Sequence, residues 1–218
     1  MTDPRLAGLY AITPAADTDL APAVAAALRG GARVIQFRDK HGEPAWRREQ
    51  AAALLALCRA HDALLLVNDD VELAAAIGAH GVHLGQDDMP PAAARARLGP
   101  AAVIGVTCHA SLALAEQAAA AGADYVAFGR FFASRSKPEA PPAPVALLGE
   151  ARRRLALPIV AIGGITPENG AQLIAAGAHM LAVIEGIFGR PDSEAAARAC
   201  AELFRTTEYK PNYAKESP

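Results

Sequence analysis

Polar residues gather in this chain directly behind short apolar runs, and their types suit phosphate chemistry. One run ends in Gln36-Phe37-Arg38-Asp39-Lys40. In an extended segment, alternation puts Gln36, Arg38 and Lys40 on one side, so both cations point the same way. Two later runs end in paired acids, Asn68-Asp69-Asp70 and Gly85-Gln86-Asp87-Asp88. If these runs are neighbouring strands, one carboxylate from each can reach a common cation. Hard oxygen donors without His or Cys suit magnesium, which keeps several waters and takes substrate phosphates as its remaining ligands. The other acid of each pair is placed to cap a helix: Asp69 or Asp70 before Val71, and Asp88 before Pro90-Pro91.

Two further segments look like anion seats. Gly129-Arg130-Phe131-Phe132-Ala133-Ser134-Arg135-Ser136-Lys137 combines hydroxyls, guanidiniums and an ammonium. Gly163-Gly164-Ile165-Thr166-Pro167 offers backbone N–H groups that a ligand can approach closely, with Thr166 as a cap and Pro167 at a first helical position. Arginine outnumbers lysine about four to one, and Lys40 and Lys137 are the only lysines outside the C-terminal stretch. Of the histidines, His109 is a candidate for lining a site, and His83 reads as a hydrogen-bonded core residue. His41, His61, His80 and His179 are expected at solvent-facing loop or helix ends. No nucleophile–base pair with a recognisable signature is present.

The elements that must position these groups alternate regularly. Strands are expected at Leu9–Ile12, Val34–Phe37, Leu64–Val67, Gly81–Leu84, Val103–Val106, Tyr125–Phe128, Ile159–Ile162 and Leu181–Ile184. Helices are expected at Asp19–Leu28, Ala45–Ala60, Val71–Ile77, Pro91–Leu98, Ser111–Ala120, Pro144–Leu155, Pro167–Ala176 and Ser193–Phe204. No unit carries G-x-G-x-x-G, and polar residues follow several strands rather than one crevice. Both features favour a closed (β/α)8 TIM barrel over a doubly wound sheet. In that barrel every candidate group falls at the carboxyl ends of the strands. Residues 1–205 make a single catalytic domain; 206–218 form a polar tail expected to be flexible, and Ser134–Pro144 is a long loop that could cover the site.

Composition narrows the function. With 218 residues, 52% hydrophobic and a net charge of −2, the chain can bury a large core and lacks the positive charge of a nucleic-acid binder. Cys58, Cys108 and Cys200 fit no disulfide or zinc pattern, so a reducing cytoplasm is expected. No apolar stretch is long enough to span a membrane, and no signal peptide is seen. Partners are therefore small phosphorylated molecules, with a homo-oligomer left open.

From about Gly8 to Gly189 the sequence resembles the thiamine-phosphate synthase family. The resemblance is carried by Leu9-Tyr10-Ala11-Ile12-Thr13, Gln36-Phe37-Arg38-Asp39-Lys40, Asn68-Asp69-Asp70, Gly81-Val82-His83-Leu84-Gly85-Gln86-Asp87-Asp88 and Ala161-Ile162-Gly163-Gly164-Ile165-Thr166. It implies a (β/α)8 barrel that condenses 4-amino-2-methyl-5-(diphosphomethyl)pyrimidine with a thiazole phosphate, carboxylated or not. The products would be thiamine phosphate and pyrophosphate, formed by magnesium-assisted dissociative displacement. It further implies that Gln36, Phe37, Arg38, Asp39, Lys40, Asn68, Thr107 and Lys137 hold the pyrimidine diphosphate. Arg38, Lys40 and Lys137 would be catalytic, and Asp69 and Asp88 would carry magnesium. Ser134, Arg135, Ser136, Gly164, Ile184 and Glu185 would line the thiazole phosphate pocket. Where Glu185 stands the family often has serine, and a carboxylate there must turn away from a phosphate or leave its backbone N–H to serve. The alternatives are a thiazole tautomerase-like paralogue that works through histidine, and a non-catalytic barrel that senses thiamine or thiazole phosphates.

Overall fold

A parallel strand covered on both sides needs apolar residues in both orientations, so it reads as a short unbroken apolar run. In the computed structural model each of the expected runs forms such a strand. The structure describes residues 3–14, 19–133 and 141–207. The strands are β1 (Gly8–Ile12), β2 (Ala32–Phe37), β3 (Leu64–Asn68), β4 (Gly81–Leu84), β5 (Val103–Thr107), β6 (Tyr125–Gly129), β7 (Ile159–Ile162) and β8 (Met180–Val183). Between them lie α1 (Ala21–Arg29), α2 (Pro44–Ala60), α3 (Val71–Ile77), α4 (Pro91–Leu98), α5 (Leu112–Ala120), α6 (Ala146–Arg154) and α7 (Ala171–Ala175). α8 (Glu185–Phe188) and α9 (Ser193–Thr206) follow β8. Each strand pairs with the next, and β8 pairs in parallel with β1 from Gly8↔Met180 to Ala11↔Val183, which closes the barrel.

Alternation along the strands divides the core into two layers. Tyr10, Val34, Leu66, Tyr125, Val160 and Met180 fill the barrel interior. Leu9, Ile35, Phe37, Leu65, Val82 and Ile104 face outward beneath the helices. Where the inward phase reaches the carboxyl ends, the apolar filling gives way to Gln36, Asn68, His83 and Thr107, and a polar floor replaces a sealed core.

Three expectations change. The helix expected from Pro167 begins at Ala171 instead. Thr166 does not cap it: its N–H donates to Asn169 Oδ1 at 2.9 Å, and Asn169 Nδ2 donates to the Gly164 carbonyl at 2.9 Å. These bonds close a separate turn, and the helix follows with Gly170 as its N-cap. His80 and His179 are also not solvent-facing. Each stands just before a strand and is half-buried, and its Nδ1 accepts a backbone N–H from the preceding strand, Leu65 at 2.9 Å and Ile159 at 3.0 Å. Finally, α9 runs to Thr206, while residues 208–218 of the expected tail lie outside the described residues. Among the described residues no helix is long and apolar enough to cross a membrane.

The burial of His179 has a measurable consequence. Burial, with the Arg152 charge adding to it, lowers its imidazole from the usual value near 6.5 to about 4. Between those values the unfolded chain binds a proton that the folded chain does not, so this histidine makes stability fall as pH drops from about 7 toward 4. The contribution lost is at most about 3 kcal/mol. In His179→Asn, whose Oδ1 can still accept a backbone N–H, urea midpoints compared at neutral and mildly acidic pH are expected to differ less than in the wild type. An unchanged difference would show that His179 does not set the slope.

Candidate active site

At the carboxyl end of the barrel the loops enclose a cavity of about 320 Å³. Strand alternation decides who faces it. Gln36 and Arg38 line the cavity from β2, whereas Phe37 between them is buried in the outer layer against the helices. Asp39 also stays out: its Oδ1 accepts the N–H groups of His41 at 3.0 Å and Gly42 at 2.8 Å, which closes the loop leading to α2. The Arg38 backbone N–H donates to the fully buried Thr13 Oγ1 at 2.9 Å, fixing where the guanidinium leaves the strand. Asn68 and Thr107 line the same wall from β3 and β5.

The acids sort themselves. Asp70 caps α3 by accepting the Leu73 N–H at 2.8 Å, and it pairs with Arg47 at 3.0 Å. Asp69 is left for other work, with left-handed backbone at φ 62°. No acid caps α4, whose N-cap is Pro90. Asp88 instead turns back, and its Oδ2 accepts the Gly85 N–H at 2.6 Å. This latch brings the Asp88 carboxyl into hydrogen-bond contact with that of Asp69. Lys40 Nζ completes the group, 2.9 Å from Asp69 Oδ2 at the exposed rim. Burial pushes the Asp69 carboxyl up, but hydrogen bonds from Lys40 and Asp88 outweigh it and hold the group below the usual carboxylate range. Burial raises Asp88, and the neighbouring Asp69 adds to the rise against the Gly85 N–H.

Among the described residues no cluster of three or more His, Cys, Asp or Glu could cage a metal. The donor set is two touching carboxylates. That fits a hydrated magnesium ion whose other ligands come from water and phosphate, and it does not fit zinc or a closed calcium cage.

The opposite wall is rich in glycine. Gly163, Gly164, Ile165 and Thr166 line the cavity after β7, and Ile184, Glu185 and Gly186 line it after β8. The β6 and β7 loops are stitched by Phe131 N–H to Ile162 O at 3.1 Å and Phe132 N–H to Gly163 O at 3.0 Å. Gly164 sits at φ +64°, and a Cβ there would lie 2.2 Å from the Ala133 carbonyl oxygen. Gly164→Ala is therefore expected to destabilise the fold by about 1–3 kcal/mol and to weaken phosphate binding, checked by thermal melts and by titration with a phosphate ester. A variant with wild-type stability and affinity would show that this wall tolerates displacement. The Glu185 carboxylate lies toward the C-terminal end of α8, such that a Cβ on Gly189 would lie 2.7 Å from its Oε2.

Ser134, Arg135, Ser136 and Lys137 lie outside the described residues, as does most of the expected covering loop. Sequence reasoning did not single out Tyr10 as lining the cavity and read His83 as a core residue, yet both line it, and Arg130 of the expected anion seat lines it too. The signal for Tyr10 and His83 was a polar side chain in the inward phase of a strand. His109, a candidate for lining a site, lines the cavity.

The family model for thiamine monophosphate synthase matches residues 9–187 of this chain. A thiamine-phosphate synthase of Thioalkalivibrio sulfidiphilus is 56% identical over 206 residues, which cover 93% of this chain and 98% of that protein. One of Alcanivorax borkumensis is 53% identical over 213 residues, covering 95% and 98%. Among solved structures, the thiamine phosphate pyrophosphorylase from Pyrococcus furiosus aligns with a TM-score of 0.86 at 32% identity, covering 94% of this chain and 98% of that one.

Proposed function

Because the chain belongs to the thiamine monophosphate synthase family, we propose that it joins a pyrimidine diphosphate to a thiazole phosphate with release of pyrophosphate. Membership makes it an enzyme, a transferase. The observation that carries the finer reading is the division of one cavity into two unlike walls. Arg38, Asn68 and Thr107 stand on the β2–β5 side near the Lys40, Asp69 and Asp88 group, and the glycine-rich backbone of Gly163, Gly164 and Gly186 stands on the β7–β8 side. The first wall suits a diphosphate, the second a monophosphate.

In the proposed reaction the bond between the pyrimidine methylene carbon and the diphosphate oxygen breaks, and its electron pair leaves with pyrophosphate. The aminopyrimidine ring delocalises the resulting positive charge, and the thiazole nitrogen supplies the pair for the new bond. Magnesium held by Asp69 and Asp88 would supply charge neutralisation for the leaving diphosphate. Arg38 and Lys40 add fixed positive charge at the same end, and Lys137 is assigned the same task from the sequence. Gln36 and Asn68 orient the pyrimidine, and the β7 and β8 backbone orients the thiazole phosphate. Such chemistry asks for orientation and electrostatic stabilisation rather than a protein nucleophile, and among the described residues the cavity lining holds no Ser, Cys or Lys. The three free cysteines are buried, which supports a reducing, cytoplasmic setting.

Calorimetric titration tests the division of walls. The pyrimidine diphosphate should bind only with magnesium present, and the thiazole phosphate should bind equally with and without it. Equal magnesium dependence for both ligands would contradict the assignment. His109 in the cavity lining favours a second reading, proton transfer on a thiazole phosphate. That reading leaves the acid pair without a task, and loss of solvent exchange at the thiazole carbon in His109→Ala would be its signature.

A further inference from the structure

Side chains from β1 to β6 form one hydrogen-bonded file across the barrel beneath the cavity. Gln36 Nε2 donates to the Tyr10 hydroxyl at 2.6 Å, and the hydroxyls of Tyr10 and Tyr125 are 2.9 Å apart. Tyr125 Oη lies 2.8 Å from His83 Nδ1, and His83 Nε2 lies 2.8 Å from Thr107 Oγ1. Gln36, Tyr10, His83 and Thr107 all line the cavity. Tyr125 does not; it is fully buried between Tyr10 and His83.

Proton counting gives the file a direction. The Tyr10 oxygen accepts the amide proton of Gln36, and a buried phenol proton needs an acceptor of its own. Tyr125 Oη, 2.9 Å away, is the acceptor within reach. Tyr125 then has its own proton to give to His83 Nδ1, which must be the bare ring nitrogen. A neutral imidazole so held carries its proton on Nε2 and donates it to Thr107 Oγ1. Thr107 takes a hydrogen bond from below, which leaves its own hydroxyl hydrogen available to a ligand in the cavity it lines. Burial raises both phenols above their ordinary range, so neither ionises and breaks the file near neutral pH.

One glycine makes the arrangement fit. His83 and Tyr125 project from the strands on either side of β5 and are each paired with Gly105. Their rings stack across it with centroids 5.6 Å apart and planes 22° from parallel. A Cβ on Gly105 would lie 1.9 Å from Tyr125 Cζ.

We propose that Tyr125 is a positioning residue: by fixing the His83 tautomer it holds the Thr107 hydroxyl hydrogen directed at an anionic oxygen of the bound diphosphate. This role rests on the reading of Thr107 as a diphosphate contact, and it is tested apart from turnover. In the free protein, ¹⁵N spectra of the His83 ring should show the Nε2–H tautomer, and Tyr125→Phe should shift it toward a mixture. Tyr125→Phe should also lower kcat about tenfold while the KM for thiazole phosphate stays within about twofold. It should weaken binding of inorganic pyrophosphate with magnesium, yet cost nothing further in a Thr107→Val background. An Nδ1–H tautomer in the wild type, or additive losses in the double variant, would overturn the proposal. Should Tyr125→Phe not fold, His83→Asn, too short to span both partners, replaces it in the same cycle with the same expectation. A wild type that binds pyrophosphate with the expected tautomer but makes no thiamine phosphate would sink the synthase reading and leave the file intact.

Discussion

Asp88→Asn is expected to cut thiamine phosphate formation by about 10²- to 10³-fold while leaving stability and thiazole phosphate affinity close to wild type. Asp88 has two tasks in the structure. Its Oδ2 latches its own loop by accepting the Gly85 N–H at 2.6 Å, and its carboxyl meets that of Asp69 beside Lys40. Asparagine keeps an oxygen for the latch and loses the charge; alanine loses both. Asp88→Ala should therefore show the same loss of rate plus about 1 kcal/mol of stability, the cost of an unmade hydrogen bond. Rates across a magnesium titration, read beside thermal melts, separate the tasks. Near-wild-type turnover in Asp88→Asn would reduce the residue to a loop latch.

Arg38→Met is expected to lower kcat by about 10²-fold or more, with thiazole phosphate affinity unaffected. Arg38 lines the cavity on the side of the acid pair, half-buried, where a charge is screened less than at the surface. Lys40 cannot replace it, because its ammonium stands at the exposed rim and is engaged by Asp69 at 2.9 Å. Arg38→Lys should recover part of the loss, since it restores the charge without the planar fork that can grip two phosphate oxygens. Steady-state kinetics in each substrate check this. An Arg38→Met enzyme that loses affinity for the thiazole phosphate instead would reverse the assignment of the two walls.

The barrel was legible in the sequence because burial on both faces leaves a mark that survives without the structure. Leu64–Val67 and Ile159–Ile162 are apolar in both phases, as parallel strands between two layers must be. The four-residue α8 left no such mark, since one helical turn shows no period. The start of α7 was misread for a chemical reason: Thr166-Pro167 is a good helix opening, but Asn169 captures the Thr166 N–H first. Site residues were legible where alternation decides, as with Gln36 and Arg38. Where side chains choose between equivalent partners they were not. Nothing in the sequence says that Asp70 rather than Asp69 caps α3, or that Asp88 turns back to Gly85. The file under the cavity was invisible, because the contact between Tyr10 and Tyr125 joins positions 115 residues apart in the chain.

The central claim is that one cavity brings a diphosphate and a monophosphate together so that carbon changes partner from oxygen to nitrogen. The most direct test incubates the purified protein with pyrimidine diphosphate, thiazole phosphate and magnesium, and quantifies thiamine phosphate and pyrophosphate together. Equal amounts of both products are expected, with neither formed when either substrate or magnesium is left out. Pyrophosphate released without thiamine phosphate, or no product at any magnesium concentration, would contradict the account.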